Sequence, residues 1–498
     1  MKKFWEKIKE IWSKIAKPFK KADAAIDKGV NIAVSPFKKL FFEHKYAIYL
    51  IVITAFALAF RYLFAPFITA DFNNFIHRWA LFINQNGQFI EGVKNLYEAE
   101  GSALRVTIAS QGVFGVPTCD YPPLYMYLIS LVSMLPLGDL VQPEQYTYIV
   151  HGNLLYYVKT ISFIFEIIGA IYCYKIVKKV TNSKLNASIA YSVYFFLPTI
   201  FMNSALWGQC DICYASMVLA SFYYIISRKQ IKSMVFFGLA LAFKVQCIFL
   251  IPLFGFLWFR KGFKLRYIVV AALVTFATFL PLYFAGAQFG TPFLPYIRQF
   301  GGYANRVNLN STSMYAWFDL LNEKGMDLDA SIKALSTFGI IFTIVVCLTF
   351  ISVLAFRRVK ITEKSVFTIG IMCFVLVPFV MPHMHERYFY LAEVGMLLYA
   401  CTNIKRIHLP VMQQVSGLIA YSAYGLVFSP NWWLNNSNGS KIGLVIGSFL
   451  NVGVMLFLIM DIAKLETEPK MLAPVEGKIE ESEANIEQKT DEKNTENK

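Results

Sequence analysis

The sequence predicts an all-α polytopic membrane protein of about 12 transmembrane helices, on three observations. Hydrophobic residues fill 56% of the 498 positions and charged residues only 16%, against about a quarter charged in an average soluble domain. Apolar runs of roughly twenty residues, enough to cross a bilayer core, recur from end to end. Short Lys/Arg-rich loops alternate with Lys/Arg-poor ones, the pattern of a chain threaded back and forth through a membrane. A soluble multidomain protein of this length has no use for 46 Phe and 28 Tyr. The net charge of +15 would suit nucleic acid, but the positions of the charges exclude it.

Residues 1–45 carry twelve Lys against five acids, with Phe4, Trp5, Ile8, Ile11, Trp12, Ile15 and Phe19 at helical spacing. This predicts a basic amphipathic helix on an anionic inner leaflet, or else a poorly ordered basic leader. The basic loops at 175–179, 228–232, 260–266, 357–360 and 405–406 mark the cytoplasmic side. Anchoring them there predicts spans near 46–65, 153–178, 186–205, 211–227, 266–283, 334–356, 365–382, 388–402, 409–428 and 441–461.

Residues 233–259 have basic flanks at both ends, so a single crossing breaks the alternation. Two half-spans turning near Lys244 at the outer face restore it. They also spare a mid-bilayer charge costing roughly 2.5–3.5 kcal/mol. The same parity leaves 66–152 as one long external loop. Its apolar stretch 121–137, broken by Pro122, Pro123 and Pro136, is expected to be an external or partly re-entrant helix. Both termini are then cytoplasmic, in a plasma membrane. The predicted organisation is a basic segment 1–45, a membrane domain 46–405, C-terminal transmembrane helices 406–462 and a Glu/Lys-rich tail 463–498 expected to be disordered.

Polar residues gather in six places. The first is Asp71-Phe72-Asn73-Asn74 with His77, Arg78 and Trp79, where Asp71 either lines a polar pocket or caps a helix. The second is Cys119-Asp120-Tyr121-Pro122-Pro123, whose prolines set backbone geometry and leave Asp120 open. The third is Trp207-Gly208-Gln209-Cys210-Asp211. Cys210 and Cys213 lack a second Cys/His pair at zinc spacing, so zinc is not expected there. The fourth is Phe243-Lys244-Val245-Gln246, an intramembrane charge that either functions or snorkels. The fifth is His383-Met384-His385-Glu386-Arg387, where anion binding suits Arg387 better than metal ligation suits the histidines. A weaker sixth, in the outer loop 284–333, holds Arg306, Asn308, Asn310, Ser311, Ser313 and Trp317. Loop charges alone, without these motifs, put all six at one face. A single outward-facing site is therefore expected.

A carboxylate near the interface, several cations and a wall of aromatics suit an anionic lipid head group carrying sugar and phosphate. Glycosyl transfer from such a lipid needs a base for the acceptor hydroxyl and positive charge for the departing phosphate. Asp71 suits the base. Arg387, Lys244, His383, His385 and Arg306 suit the donor phosphate. His77, Arg78, Asp120, Tyr121, Trp207, Gln209, Asp211, Gln246 and Glu386 are the candidates for the rest of substrate binding.

Asp71-Phe72 with His77-Arg78-Trp79, then Asp120-Tyr121-Pro122-Pro123-Leu124, Phe243-Lys244-Val245-Gln246 and His385-Glu386-Arg387, follow one another in matching order over roughly residues 45–405. In these the sequence resembles the membrane-embedded GT-C glycosyltransferases. The nearest likenesses are the dolichyl-phosphate-glucose-dependent glucosyltransferases of N-glycan assembly and the bacterial relatives of the second GPI mannosyltransferase. The resemblance implies a GT-C-like fold with a long helical first external loop. It also implies inverting transfer of a hexose from a polyprenyl-phosphate sugar to a lipid-linked or cell-envelope glycan acceptor on the extracytoplasmic face. The acid of the first external loop, here Asp71, would be the catalytic base. The partners implied are the polyprenyl-phosphate sugar lipid, a lipid-linked glycan or glycolipid acceptor and membrane lipids, with no nucleic acid.

Many relatives carry two adjacent acids in that loop and use a divalent metal. Here Phe72 and Asn73 follow Asp71, so a divalent metal is not favoured, although Asp120 or Asp211 could complete a metal site in space, and no other cofactor is expected. The competing class is a multi-pass lipid or polysaccharide transporter or flippase without transferase chemistry. It calls for polar or broken helices near the midplane, often in matching halves. This chain offers one broken span and no twin.

Overall fold

The computed structural model describes Glu6 and residues 35–469, except 109–110, 143–148, 302–305, 322–327 and 426–436. The predicted amphipathic helix of the first 34 residues and the tail beyond 469 lie outside the described residues. Helix α1 (Ser35–Phe64) leads in. Ile51 and Leu63 on it remain 68% and 71% exposed, apolar surface of a kind that marks a lipid-facing wall on a helix of this length.

An outer layer follows. A π-helical turn, Phe72–Ile76, runs into α2 (His77–Gln85), and α3 (Phe89–Glu98) folds back on it. A hairpin of β1 (Arg105–Ile108) and β2 (Gly112–Gly115) pairs Arg105 with Gly115 and covers α2. Pro122 is extended and starts α4 (Pro123–Ser133), because a proline costs nothing in the first helical turn, where its missing N–H has no partner anyway. At 11 residues α4 is too short to span, and it packs on α2 and α3. A second small ladder, β3 (Leu140–Val141) with β4 (Val150–His151), closes the layer. The sequence reading expected helix here and missed both ladders. Strands of two to four residues are too short for a period-2 pattern to register.

The membrane layer begins with α5 (Gly152–Thr181), which packs on α4. Helix α6 (Lys184–Phe195), capped by the Ser183 hydroxyl accepting the Asn186 N–H, bends by 48° into α7 (Pro198–Phe201) and a π-helical Met202–Trp207. Then come α8 (Asp211–Ile226), α9 (Gln230–Phe243), a 3-10 stretch Val245–Leu250 and α10 (Ile251–Phe259). Between α9 and the 3-10 stretch Lys244 is fully extended, φ −166° and ψ 142°. The chain therefore breaks at the residue where the charge pattern required a turn. Beyond it run α11 (Ile268–Ala277), α12 (Leu280–Phe284), α13 (Leu294–Gly301), β5 (Asn308–Leu309), α14 (Ala316–Leu321) and α15 (Leu328–Phe356). The chain ends with α16 (Glu363–Val380), β6 (Met384–His385), α17 (Tyr390–Thr402), α18 (His408–Tyr424) and α19 (Ser437–Ala463).

Among the described residues five helices are long and apolar enough to cross a membrane, or six if the bent α6–α7 pair is one span. The shorter apolar helices α8, α9, α11 and α17 fall on other predicted spans. The protein is a multi-pass, predominantly helical membrane protein. Helix α8 is buried on nearly every face among α5, α9 and α16 and forms the centre.

Two links position the functional region. Arg61 of α1 pairs with Glu166 of α5, and Glu166 also accepts the Ser204 hydroxyl at 2.6 Å, all three fully buried. That joins α1, α5 and the π-helical turn before Trp207. Separately, β5 and β6 pair in parallel, Asn308 with Met384 and Leu309 with His385, and the Glu386 N–H donates to the Leu309 carbonyl at 3.0 Å. This seats the outer loop of Arg306 against the His385-Glu386-Arg387 segment.

Candidate functional site

A cavity of about 270 Å³ lies between the outer layer and the upper ends of α8, α9 and α18. Asp71, Asp120, Tyr121, Gln209, Lys244, Arg306, His385, Glu386 and Arg387 all line it, with Trp79, Tyr388 and Tyr424. Seven separate parts of the chain thus meet in one wall.

Asp71 precedes the π-helical turn. Its Oδ2 accepts the Trp207 indole N–H at 3.0 Å and the Gln209 amide at 2.9 Å. Gln209 in turn accepts the Tyr121 hydroxyl at 3.0 Å. Trp207 is fully buried, stacked on Tyr424 with ring centroids 4.3 Å apart. Between the two donors Gly208 adopts φ +76°, a left-handed turn natural to glycine, and any Cβ there would lie 3.3 Å from Lys159 Cε.

Lys159 was missed by the sequence reading. It is fully buried on α5, and its ammonium donates to the carbonyls of Ala65 at 2.9 Å, Phe67 at 2.6 Å, Ala205 at 2.8 Å and Leu206 at 3.2 Å. One cation thereby holds the segment leading into Asp71 against the segment leading into Trp207 and Gln209. The available signal was a Lys inside a predicted span, a functional hypothesis by default.

The cations are arranged around Asp211. Its Oδ1 accepts Lys244 Nζ at 2.6 Å, and its Oδ2 lies 3.3 Å from Arg387 Nε and 3.0 Å from the Asn203 amide. Arg387 also donates to Glu386 at 2.7 Å and has its guanidinium 5.4 Å from the Trp207 ring. The Lys244 ammonium lies 5.4 Å from the Tyr121 ring and 5.1 Å from the Tyr388 ring. Two of the cavity's cations are thus already partly neutralised from behind, which makes it possible to bury them. Arg306, at the rim, pairs with no carboxylate among the described residues. Burial pushes the Asp120 carboxyl up from its ordinary value, opposed by Lys244, then Arg387 and His385. The cavity thus holds carboxyl groups in different settings, Asp71 held by two N–H donors and Asp120 desolvated.

The structure leaves four candidates away from the cavity wall. His77 is buried against His151, whose Nδ1 is 3.0 Å from His77 Nε2. Arg78 reaches the Gly115 carbonyl at 2.9 Å and the Asn74 amide oxygen at 3.1 Å, tying the hairpin to the π-helical turn. The π-helical turn rotates these two residues off the face that carries Asp71. His383 donates to the Arg306 carbonyl at 2.6 Å and so holds up the rim. Gln246 is buried in the 3-10 stretch. Trp207 and Asp211 stand behind the wall and act on it through Asp71, Lys244 and Arg387. All eight cysteines are free thiols, so Cys119 and Cys210 do not pair. Among the described residues no group of three or more His, Cys, Asp or Glu is placed to hold a metal.

Burial, with His151 next and Arg78 after it, pulls the His77 imidazole down to about 3 from 6.5. Above pH 6.5 both folded and unfolded chains carry it neutral, so its contribution is fully present. As pH falls below 6.5 the unfolded chain takes up the proton and the folded one does not, so stability is lost down to about pH 3. The melting temperature of the full-length protein should fall over that window. His77→Gln, which keeps an acceptor for the His151 N–H, should flatten the decline; an unchanged profile would count against it.

A sequence profile described as "Glycosyltransferase family 87" matches residues 120–382, more than half of the chain. The chain belongs to glycosyltransferase family 87. The matched stretch of this family 87 enzyme begins at Asp120 and takes in Gln209, Asp211, Lys244 and Arg306; Asp71 lies before it and His385 to Arg387 after it. None of the curated proteins matches the chain. Among solved structures, the crystal structure of ArnT from Cupriavidus metallidurans bound to undecaprenyl phosphate is similar at 12% identity. The likeness covers 83% of this chain and 77% of that one, with a TM-score of 0.42.

Proposed function

We propose that this family 87 glycosyltransferase moves a hexose, with inversion, from a polyprenyl-phosphate sugar to a lipid-linked or cell-envelope glycan acceptor. The supporting observation is one cavity that joins a carboxylate held by two N–H donors to a set of cations. In this reading the Asp71 carboxylate takes the proton of the acceptor hydroxyl as that oxygen attacks the sugar's anomeric carbon. The carbon–oxygen bond to the lipid phosphate breaks with its electron pair going to the phosphate. Arg387, Lys244 and Arg306 stabilise the anion, since guanidinium and ammonium groups in a shielded site interact strongly with phosphate. Trp79, Tyr121 and Tyr388 supply aromatic faces for the sugar. The reaction needs no metal in this proposal, because the hydrogen bonds to Asp71 Oδ2 already hold that oxygen.

The alternating loop charges support an extracytoplasmic active site and cytoplasmic termini. The test uses purified full-length protein in detergent, a polyprenyl-phosphate hexose and a lipid-linked acceptor, with the product's anomeric configuration read by NMR. Transfer with inversion that survives chelator is expected. Transfer from a nucleotide sugar alone would overturn the donor assignment. Activity lost with chelator and restored by Mn²⁺ or Mg²⁺ would overturn the metal-independent one.

A further inference from the structure

A second cavity, of about 700 Å³, opens at the far end of α5, between α1, α5, α6, α8 and α16. Helix rise puts it roughly 30 Å along α5 from Lys159, so it is separate from the first. Lys175, Lys178 and Lys179 line it, and spacings of three and four residues put Lys175 on one helix face with the other two. Its floor is aromatic: Tyr174 and Tyr223 line it, with the Lys175 ammonium 6.0 Å from the Tyr223 ring. Among the described residues the one acid in its lining is Glu363, 2.6 Å from Lys179, in a pair that is 38% and 42% exposed. An ion pair that open holds weakly. Among the described residues neither Lys175 nor Lys178 has a carboxylate within ion-pair distance.

The cavity opens where a membrane-length helix ends in its basic cluster, at the depth of lipid headgroups. Basic pockets between transmembrane helices on the Lys/Arg-rich side recognise acidic lipid headgroups, and tyrosines suit the boundary between headgroup and acyl chain. We propose that this cavity binds the phosphate of an anionic phospholipid, with Lys175 and Lys178 on the phosphate and Tyr174 and Tyr223 beneath the glycerol. Lys179, held by Glu363, closes one side. A free phosphate would use the lysines but leave the aromatic floor idle.

The full-length protein in neutral detergent is titrated with phosphatidylglycerol, with phosphatidylcholine and with inorganic phosphate. Melting temperature and lipid retention in native mass spectra are read. Phosphatidylglycerol should raise the melting temperature and stay bound, and the other two should not. Lys175→Gln with Lys178→Gln should weaken phosphatidylglycerol binding about fivefold per lysine, while Lys178→Arg keeps it. Equal binding by the parent and the double variant would overturn the site. An equal shift with inorganic phosphate would overturn the lipid as its occupant. Both lysines lie outside the transfer cavity, so either result leaves the glycosyl-transfer proposal standing.

Discussion

Asp71→Asn is expected to lower kcat by about a hundred- to ten-thousand-fold, the range ascribed to a positioned general base. An amide oxygen can still accept from Trp207 Nε1 and Gln209 Nε2, which lie 3.0 and 2.9 Å from Asp71 Oδ2. The substitution therefore keeps the wall of the cavity and removes only the proton acceptor. Melting temperature and donor affinity should stay close to the parent. Asp120→Asn is the control, because Asp120 lines the same cavity and its carboxyl is raised by burial. It should change KM more than kcat. Full turnover by Asp71→Asn, with loss in Asp120→Asn, would move the base to Asp120.

Lys159→Met should be the other severe change. The ammonium's three hydrogens are shared among four carbonyls, two in the segment before Asp71 and two before Trp207. A thioether fills similar space and donates nothing. Each buried carbonyl left without a donor costs about 1–3 kcal/mol, so the melting temperature should drop. The carbonyls should then part, taking Asp71 away from its two donors, and kcat in the remaining folded protein should fall with little change in donor KM. A purely structural lysine would reduce the amount of folded protein and leave its kcat intact. Lys159→Arg should not rescue, because a planar fork cannot reach carbonyls gathered around a point charge.

The gathering of candidate residues was legible because a membrane reduces topology to one dimension. Every backbone polar group in the hydrocarbon must be satisfied locally, which forces helices, and loop charge then assigns each loop a side. That reasoning alone placed Asp71, Asp120, Gln209, Lys244, Arg306, His385, Glu386 and Arg387 at one face, and all of them line one cavity. It also predicted the break at Lys244, where helix α9 ends in an extended residue. Assignments finer than the face were less legible. His77 and Arg78 follow Asp71 closely in sequence, yet a π-helical turn between them changes the helical phase, and no propensity scale marks such a turn. Lys159 shows in the sequence only as an intramembrane lysine, and its role is decided by the carbonyls packed around it.

The sequence by itself determined that this protein is helical and threads a membrane repeatedly, because hydropathy and loop charge act on each segment separately. Only the tertiary structure decided which of the candidate residues face one another. Asp211 holds Lys244 and Arg387, Trp207 and Gln209 hold Asp71, and Lys159 fastens the two segments together. Those partners are remote in the chain and meet through packing, since burial makes each charge depend on a partner that linear order does not name.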